Sequence, residues 1–547
     1  MRTLGRCCRG WLGLLGALAA VVAPLPAFAA DDPFQLPPVL QPRLAPAEPG
    51  TVRGFAFEGN TLVPSAELEQ IAAPFVGQPQ DAANLETLRQ RLTRHLISRG
   101  YVNSGVLLAE GAVRDGVVRF QVVVGQVREV RLHGLDGLHE DYLRGRLVRK
   151  EDGALNIESM RERFQLLLED PLFERLNARL MPGNAAGDAI LDIDVTRARP
   201  YQLHAFVSNH RPPSIGENAY GLSGWVRNLS GRGDFLEGGI TAPVKGSGGA
   251  RGNLGWRMPL NTSGTQFIAQ FDHGQSSVVE EPLQVLDIRS TLDSKEIGLS
   301  QTLLEQLDRK LTLGVSRVRR ENRTTLLGEP FSFTPGEPDG VTRIWSWRFW
   351  QEYTQRSDKQ VFAARSTFNN ARTNLQGVTG LAGAPEVPAR QYGVWLGQAQ
   401  YARQIQEQGA QVVARLNVQH ARHRLPGLDQ LAIGGVNTVR GFRENQLIRD
   451  TGVILSLELD YPLVRQFGSG FNMSLVPFYD YGRGKNRGAA ADSLSSVGLA
   501  TRMRWQGFNV DLALAKRLAH PSSVNSSGGT LQDKGFHFRV AYQFFGT

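Results

Sequence analysis

The stretch Ile454-Leu455-Ser456-Leu457-Glu458-Leu459-Asp460-Tyr461 alternates without a break. Leu455, Leu457, Leu459 and Tyr461 point one way, and Ser456, Glu458 and Asp460 the other. Period-two alternation is the signature of a strand with two unlike faces. A soluble sandwich alternates too, but it rarely needs this many charged residues on the second face of long strands, whereas a barrel around a water-filled lumen does. The pattern recurs downstream. Val510, Leu512 and Leu514 alternate with Asp511 and two alanines, and Phe536, Phe538, Val540, Tyr542 and Phe544 form an apolar stripe opposite His537, Arg539 and Gln543.

Working outward, about sixteen such strands fit between residues 201 and 547, starting near 201, 219, 233, 252, 264, 294, 310, 341, 359, 391, 410, 452, 471, 494, 507 and 534. An even count is what a bacterial outer-membrane barrel requires. A further candidate, Val285 to Arg289, is assigned to a protruding loop. Connections after even-numbered strands are mostly short, such as Asn228 to Arg232 and Pro259 to Ser263, and those after odd-numbered strands are long, above all His420 to Thr451. Short periplasmic turns and long external loops produce this parity, which puts everything before residue 201 in the periplasm. No stretch of the mature chain reads as a transmembrane helix, so a membrane location requires a closed barrel, in which every backbone polar group is satisfied.

Upstream, one pattern occurs twice with a period of about 75 residues. The assigned segments are 51–126 and 127–200. Each opens with a short alternating strand, Val52 to Phe57 or Val127 to His133, closed by a glycine turn at Gly59 or Gly134. Helical periodicity follows in Leu85, Leu88, Leu92 and Leu96, and again in Ile157, Met160, Phe164, Leu167 and Leu168. Two strands end each copy, Gly105 to Ala109 with Val117 to Val124, and Arg175 to Met181 with Ala189 to Val195. The order is β-α-α-β-β, twice. Before the first copy, 30–50 is a Pro-rich extended linker, too short to hold both a tether and a plugging helix. Residues 1–29 read as a secretory signal peptide, with Arg2, Arg6 and Arg9, an apolar run from Trp11 to Val22, and Ala27-Phe28-Ala29 as the cleavage site.

Both cysteines, Cys7 and Cys8, fall in that leader, so a disulfide framework and a thiolate metal site are excluded from the mature chain. Removing the three leader arginines from the formal net charge of +9 leaves +6, spread without a dense basic block, which argues against nucleic-acid binding. No metal-binding, phosphate-cradling or nucleophile-elbow motif is present. The expectation is therefore no catalytic residue, no metal and no cofactor. Arg232-Gly233-Asp234 and the Asn228-Leu229-Ser230 sequon fall at a short periplasmic turn and are read as chance.

The longest connection contains Val439-Arg440-Gly441-Phe442, and a strand further on carries Phe478-Tyr479-Asp480-Tyr481-Gly482. With these motifs the chain resembles the transporter component of bacterial two-partner secretion. This is the TpsB family of haemolysin and filamentous-haemagglutinin transporters, within the superfamily of POTRA-bearing outer-membrane barrels. The resemblance covers nearly the whole mature chain. It implies a transmembrane β-barrel of about 16 antiparallel strands preceded by two α+β POTRA domains. It implies further that the loop with Val439, Arg440, Gly441 and Phe442 folds back into the pore, where Arg440 pairs with Asp480 and Phe478 and Gly482 complete the wall motif. A charge-assisted pair in a confined space would immobilise an otherwise floppy loop. The implied function is ATP-independent export of a secreted exoprotein, adhesin or haemolysin in class, captured unfolded by the POTRA domains through β-augmentation. Outer-membrane lipid, lipopolysaccharide and the barrel-assembly machinery are further expected partners. An alternative in the same superfamily is a barrel-assembly factor, although such relatives generally carry three to five POTRA domains. A diffusion porin would leave the repeats unexplained.

Overall fold

In the computed structural model, residues 34–35 and 50–545 are described, apart from 150–151, 247, 377–386, 408, 467–469, 523 and 525–528. The leader, most of the Pro-rich segment and the expected absence of a plug helix lie outside the described residues. The chain divides at residues 200 and 201 into two units.

In the N-terminal unit, the first repeat comprises β1 (Gly54–Glu58), α1 (Ser65–Ala72), α2 (Ala82–Ser98), β2 (Gly105–Arg114) and β3 (Val117–Val123). The second comprises β4 (Gln126–His133), α3 (Glu140–Leu147), α4 (Ile157–Leu168), β5 (Phe173–Pro182) and β6 (Asp188–Arg197). The longer helices start where a side chain satisfies orphan N–H groups. Asp81 accepts from the Asn84 amide at 2.6 Å, and Asn156 accepts from the amides of Glu158 and Ser159. Leu85, Leu88, Leu92 and Leu96 then pack on Val106, Val118 and Phe120, while Ile157, Met160, Phe164 and Leu167 pack on the second sheet. In both repeats the first strand runs parallel to the third and the second antiparallel to it. That leaves β2 at the edge of its sheet, whereas the corresponding β5 is flanked by Phe34–Gln35, which pairs parallel with Ala178 and Arg179. The two repeats interlock. Asn103 donates to the Gly187 carbonyl at 2.6 Å, the Ile157 amide donates to Gly100, and the Leu155 amide donates to Gly125.

Two details differ from the sequence reading. Leu168 is 45 % exposed, because Leu167 already completes the narrow apolar stripe of α4. Strand β2 runs on to Arg114, with its register broken between Leu108 and Val113, so apolar alternation stops before the strand does.

The second unit is a closed antiparallel barrel of sixteen strands. Its first half is β7 (Tyr201–Ser208), β8 (Ala219–Arg227), β9 (Phe235–Pro243), β10 (Arg251–Pro259), β11 (Thr265–Ser277), β12 (Arg289–Glu305), β13 (Arg309–Leu326) and β14 (Val341–Arg356). The second half is β15 (Gln360–Thr373), β16 (Gln391–Gln404), β17 (Gln411–Ala421), β18 (Thr451–Gln466), β19 (Phe471–Lys485), β20 (Asp492–Trp505), β21 (Phe508–Ala519) and β22 (Phe536–Phe544). Closure comes from β22 against β7, Phe544 opposite Leu203 through Arg539 opposite Ser208. At the end where the chain enters, connections are as short as 306–308, 357–359 and 506–507; at the other end they include 327–340, 374–390, 422–450 and 520–535.

Alternation sorts the side chains. Phe271, Ile297, Val315, Trp347, Phe368, Leu457 and Val497 are exposed on the outside, an apolar band suited to lipid, whereas Glu296, Arg320, Arg348, Glu458 and Asp480 face the lumen. One boundary is corrected by the structure. Strand β12 begins at Arg289, not near 294, and only Leu283–Leu286 of the preceding connection forms a helical turn. Its first residues, Arg289 to Asp293, are mostly polar because that tip clears the lipid, where no apolar face is needed.

Candidate functional site

The connection 422–450 turns back into the lumen as a hairpin, Leu431–Ile433 paired with Leu447–Arg449. Its arms are fixed to the wall and to each other. Asp429 takes the guanidinium of Arg320 on β13 and the hydroxyl of Tyr392 on β16. Asp450 accepts from the Leu425 amide, the Gln430 side chain and the Arg487 amide at 2.8–2.9 Å. Ile433, Val439, Phe442 and Leu447 bury themselves with Ile454 and Leu494 of the wall.

At the tip, Arg440 is 6 % exposed and Asp480 fully buried. The guanidinium grips Asp480 with both arms, Nε to Oδ2 at 2.7 Å and Nη2 to Oδ1 at 2.8 Å, and the Arg440 amide adds a third bond to Oδ2 at 3.1 Å. Its remaining donor, Nη1, reaches Glu458 Oε1 at 2.8 Å, and Nη2 also reaches Ser456. The planar guanidinium lies over Phe478, with Cζ 3.5 Å from the ring centroid. Gly482 completes the wall motif by absence, because a Cβ there would sit 2.4 Å from Ile433 and 2.9 Å from Val439 of the loop. Gly441 holds φ +89 with its would-be Cβ 2.8 Å from that of Ala515. Its amide donates to His537 Nε2 at 3.0 Å, and its carbonyl accepts from Arg517 at 2.6 Å.

The structure thus brings Val439, Arg440, Gly441, Phe442, Phe478, Asp480 and Gly482 to one place, and it adds partners. Arg415 and Arg502 also reach Glu458, and Arg502 reaches Asp460 at 2.7 Å. Three cations, Arg440, Arg415 and Arg502, therefore face three carboxylates, Asp480, Glu458 and Asp460. Buried charges persist only when paired in this way; removing one partner typically costs about 3–5 kcal/mol. A signal for Glu458 was present in the Ser456-Leu457-Glu458 alternation, which already put it on the lumen face.

A second clasp lies nearer the external loops. Arg443 grips Asp533 at 2.6 and 2.8 Å and Glu280 at 2.8 Å, so connections 278–288 and 520–535 are tied to the inserted loop. Its hold keeps the Asp533 carboxyl below the usual range, although burial pushes the other way. Gln532 reinforces the clasp, accepting from the Glu444 amide and donating to the carbonyls of Asn209 and Arg211. No local pattern reveals these partners, which are 88 to 163 residues from the loop residues they hold.

Comparison with known proteins agrees with this architecture. The sequence profile of the haemolysin secretion/activation proteins ShlB/FhaC/HecB matches residues 187–504, and that of the ShlB-type POTRA domain matches 51–125. The outer membrane transporter CdiB of Escherichia coli is 23 % identical over 424 residues, 76 % of this chain and 69 % of its own. The heme/hemopexin transporter protein HuxB of Haemophilus influenzae is 24 % identical over 181 residues, 32 % of each chain. A solved structure of CdiB from Escherichia coli superposes with a TM-score of 0.68 at 19 % identity, covering 93 % of this chain and 94 % of that one. The outer-membrane barrel, its periplasmic POTRA region and the match over 187–504 together show that this chain belongs to the ShlB/FhaC/HecB family of secretion transporters.

Proposed function

We propose that the barrel is the pore through which a partner exoprotein, captured unfolded in the periplasm by both repeats, passes to the cell surface without ATP. The observation that carries this reading is the loop 422–450, seated in the lumen and held at its tip by Arg440 on Asp480. A loop that fills a conduit and is tied by a few polar contacts is a gate, and its release opens the path. We read 127–200 as a second POTRA domain, because it repeats the strand order and pairing of the first. The edge of β2 offers backbone groups to an extended chain, and on β5 the residues beyond the short Phe34–Gln35 pairing do so too. Folding outside supplies direction, since the exported state is then lower in free energy. Adhesins, haemolysins, haem-binding proteins and contact-dependent toxins are the cargo classes the family resemblance offers, and one relative is named a heme/hemopexin transporter. The protein moves a chain rather than transforming one. Outer-leaflet lipid and lipopolysaccharide surround it, and the barrel-assembly machinery inserts it.

Deleting Val52 to Arg199 tests capture. Secretion of the partner exoprotein is expected to stop, while the barrel still inserts and migrates as a heat-modifiable band. Continued secretion by that variant would remove the repeats from the mechanism.

A further inference from the structure

The outer wall carries a cluster of charge that the transport reading does not use. On strands β12 to β15, outward-facing residues change character along the strand. Towards the middle they are apolar, with Ile297, Val315, Trp347 and Phe368 each 43–54 % exposed. Towards the external loops they become basic. Lys295 is on β12, Arg317, Arg319 and Arg323 on β13, Arg343 on β14 and Arg372 on β15.

Register makes these residues neighbours. Lys295 lies opposite Arg319, Arg319 opposite Trp345, and Trp345 opposite Arg372, forming one row across four strands. Arg317 stands beside Trp347, its Cζ 5.1 Å from the ring centroid. The same faces carry two carboxylates, Asp293 and Glu321, and Glu321 is already shared by Arg319 at 3.5 Å, Arg323 at 2.5 Å and Arg343 at 3.1 Å. With Arg289, which is paired to Asp287 of the preceding connection, seven cations stand against three carboxylates and leave an excess of four. Like charges directly opposite on neighbouring strands destabilise a sheet unless an anion lies between them. Here the cluster borders the apolar band, at the depth where lipid headgroups begin.

We propose that this face of the barrel is a binding site for a phosphorylated glycolipid of the outer leaflet, with its phosphates on Lys295, Arg317 and Arg319 and its acyl chains along Ile297, Val315 and Phe368. Guanidinium forks match phosphate oxygens two at a time, which favours phosphate over a sugar hydroxyl or a zwitterionic headgroup. Trp345 and Trp347 are amphipathic rings of the kind that settle at the membrane interface. The row from Lys295 to Arg372 spans three strand spacings, about 14 Å, so a headgroup with more than one phosphate suits it better than a single phosphodiester. The site depends on the barrel lying in an outer membrane and not on how cargo is recognised.

The test uses the full-length transporter purified in detergent and native mass spectrometry with three lipids: bis-phosphorylated lipid A, the same lipid after phosphatase treatment, and phosphatidylglycerol. Bis-phosphorylated lipid A should bind the unmodified protein most tightly. Its affinity should fall about a hundredfold in Lys295→Gln/Arg317→Gln/Arg319→Gln and stay the same in Arg483→Gln/Lys485→Gln, which alters basic residues on β19 instead. Equal binding of phosphatidylglycerol or the dephosphorylated lipid, undiminished binding by the triple variant, or an equal loss in the β19 control would overturn the site. Heat-modifiable migration confirms that the variants are folded, and Arg319→Gln alone carries the same comparison if the triple variant is not.

Discussion

Arg319 and Arg320 are neighbours in the chain and belong to two different electrostatic worlds. Arg320 faces the lumen, where Asp429 of the inserted loop takes its guanidinium. Arg319 faces outward, 59 % exposed, and shares one carboxylate with two other arginines. The same division holds around the wall. Inside, Arg348 has Glu296, Arg365 has Glu352, and Arg440, Arg415 and Arg502 have their three carboxylates. These lumen charges are matched within the chain, which holds the loop in place. The outer face keeps an excess of cations, which the proposed phosphorylated lipid would balance.

The sharpest way to break this comparison is at Arg440. Arg440→Ala strands the buried Asp480 and leaves Glu458 with Arg415 and Arg502 alone, so loop docking should lose about 3–5 kcal/mol. Secretion should collapse while insertion and heat-modifiability persist, and single-channel conductance in planar bilayers should rise; unchanged secretion would show that the latch is not the gate. Arg440→Lys keeps the charge but loses the two-armed grip, and should fall between wild type and alanine in both measurements. Next in size, Arg443→Gln opens the outer clasp while leaving Arg440 seated. A loss of about 1–3 kcal/mol is expected from a charge-assisted pair of this burial, seen as more frequent brief openings with secretion retained. If Arg443→Gln matched Arg440→Ala, the two clasps would be one cooperative unit. The smallest effect belongs to the outer face. Arg319→Gln should change barrel stability in detergent by no more than about 0.5 kcal/mol. Raising salt should loosen the exposed arginines around Glu321, read as barrel stability, and leave the buried latch intact, read as conductance normalised to that of the bulk solution.

How much of this was legible in the sequence follows the same line between local and distant. Leu455, Leu457 and Leu459 declare a strand because lipid on one side and water on the other impose a period of two. The strand tips declare nothing, because Arg289 to Asp293 have water on both faces, and so β12 is longer than its apolar signal. Helix α2 was readable in four leucines. Leu168 belongs to the helix its spacing announced yet is exposed, because a stripe says which face is buried but not how wide the burial is. At the site, Arg440 and Asp480 were paired through motifs whose resemblance to a family carried the information. Glu458 was placed on the lumen side by alternation without a partner. Arg443 with Asp533 and Glu280 had neither motif nor periodicity, since three loops distant in sequence meet only once the barrel has closed.

The matched charges around Arg440 have a consequence for ion selectivity. With the loop seated, Arg440, Arg415 and Arg502 cancel Asp480, Glu458 and Asp460, and that ring of the lumen discriminates weakly between permeant anions and cations. On the proposed opening Arg440 leaves with its loop, and the wall alone keeps two cations and three carboxylates. An opened pore therefore carries one net negative charge at this level, and its reversal potential in a salt gradient should move toward that of the cation as the loop departs.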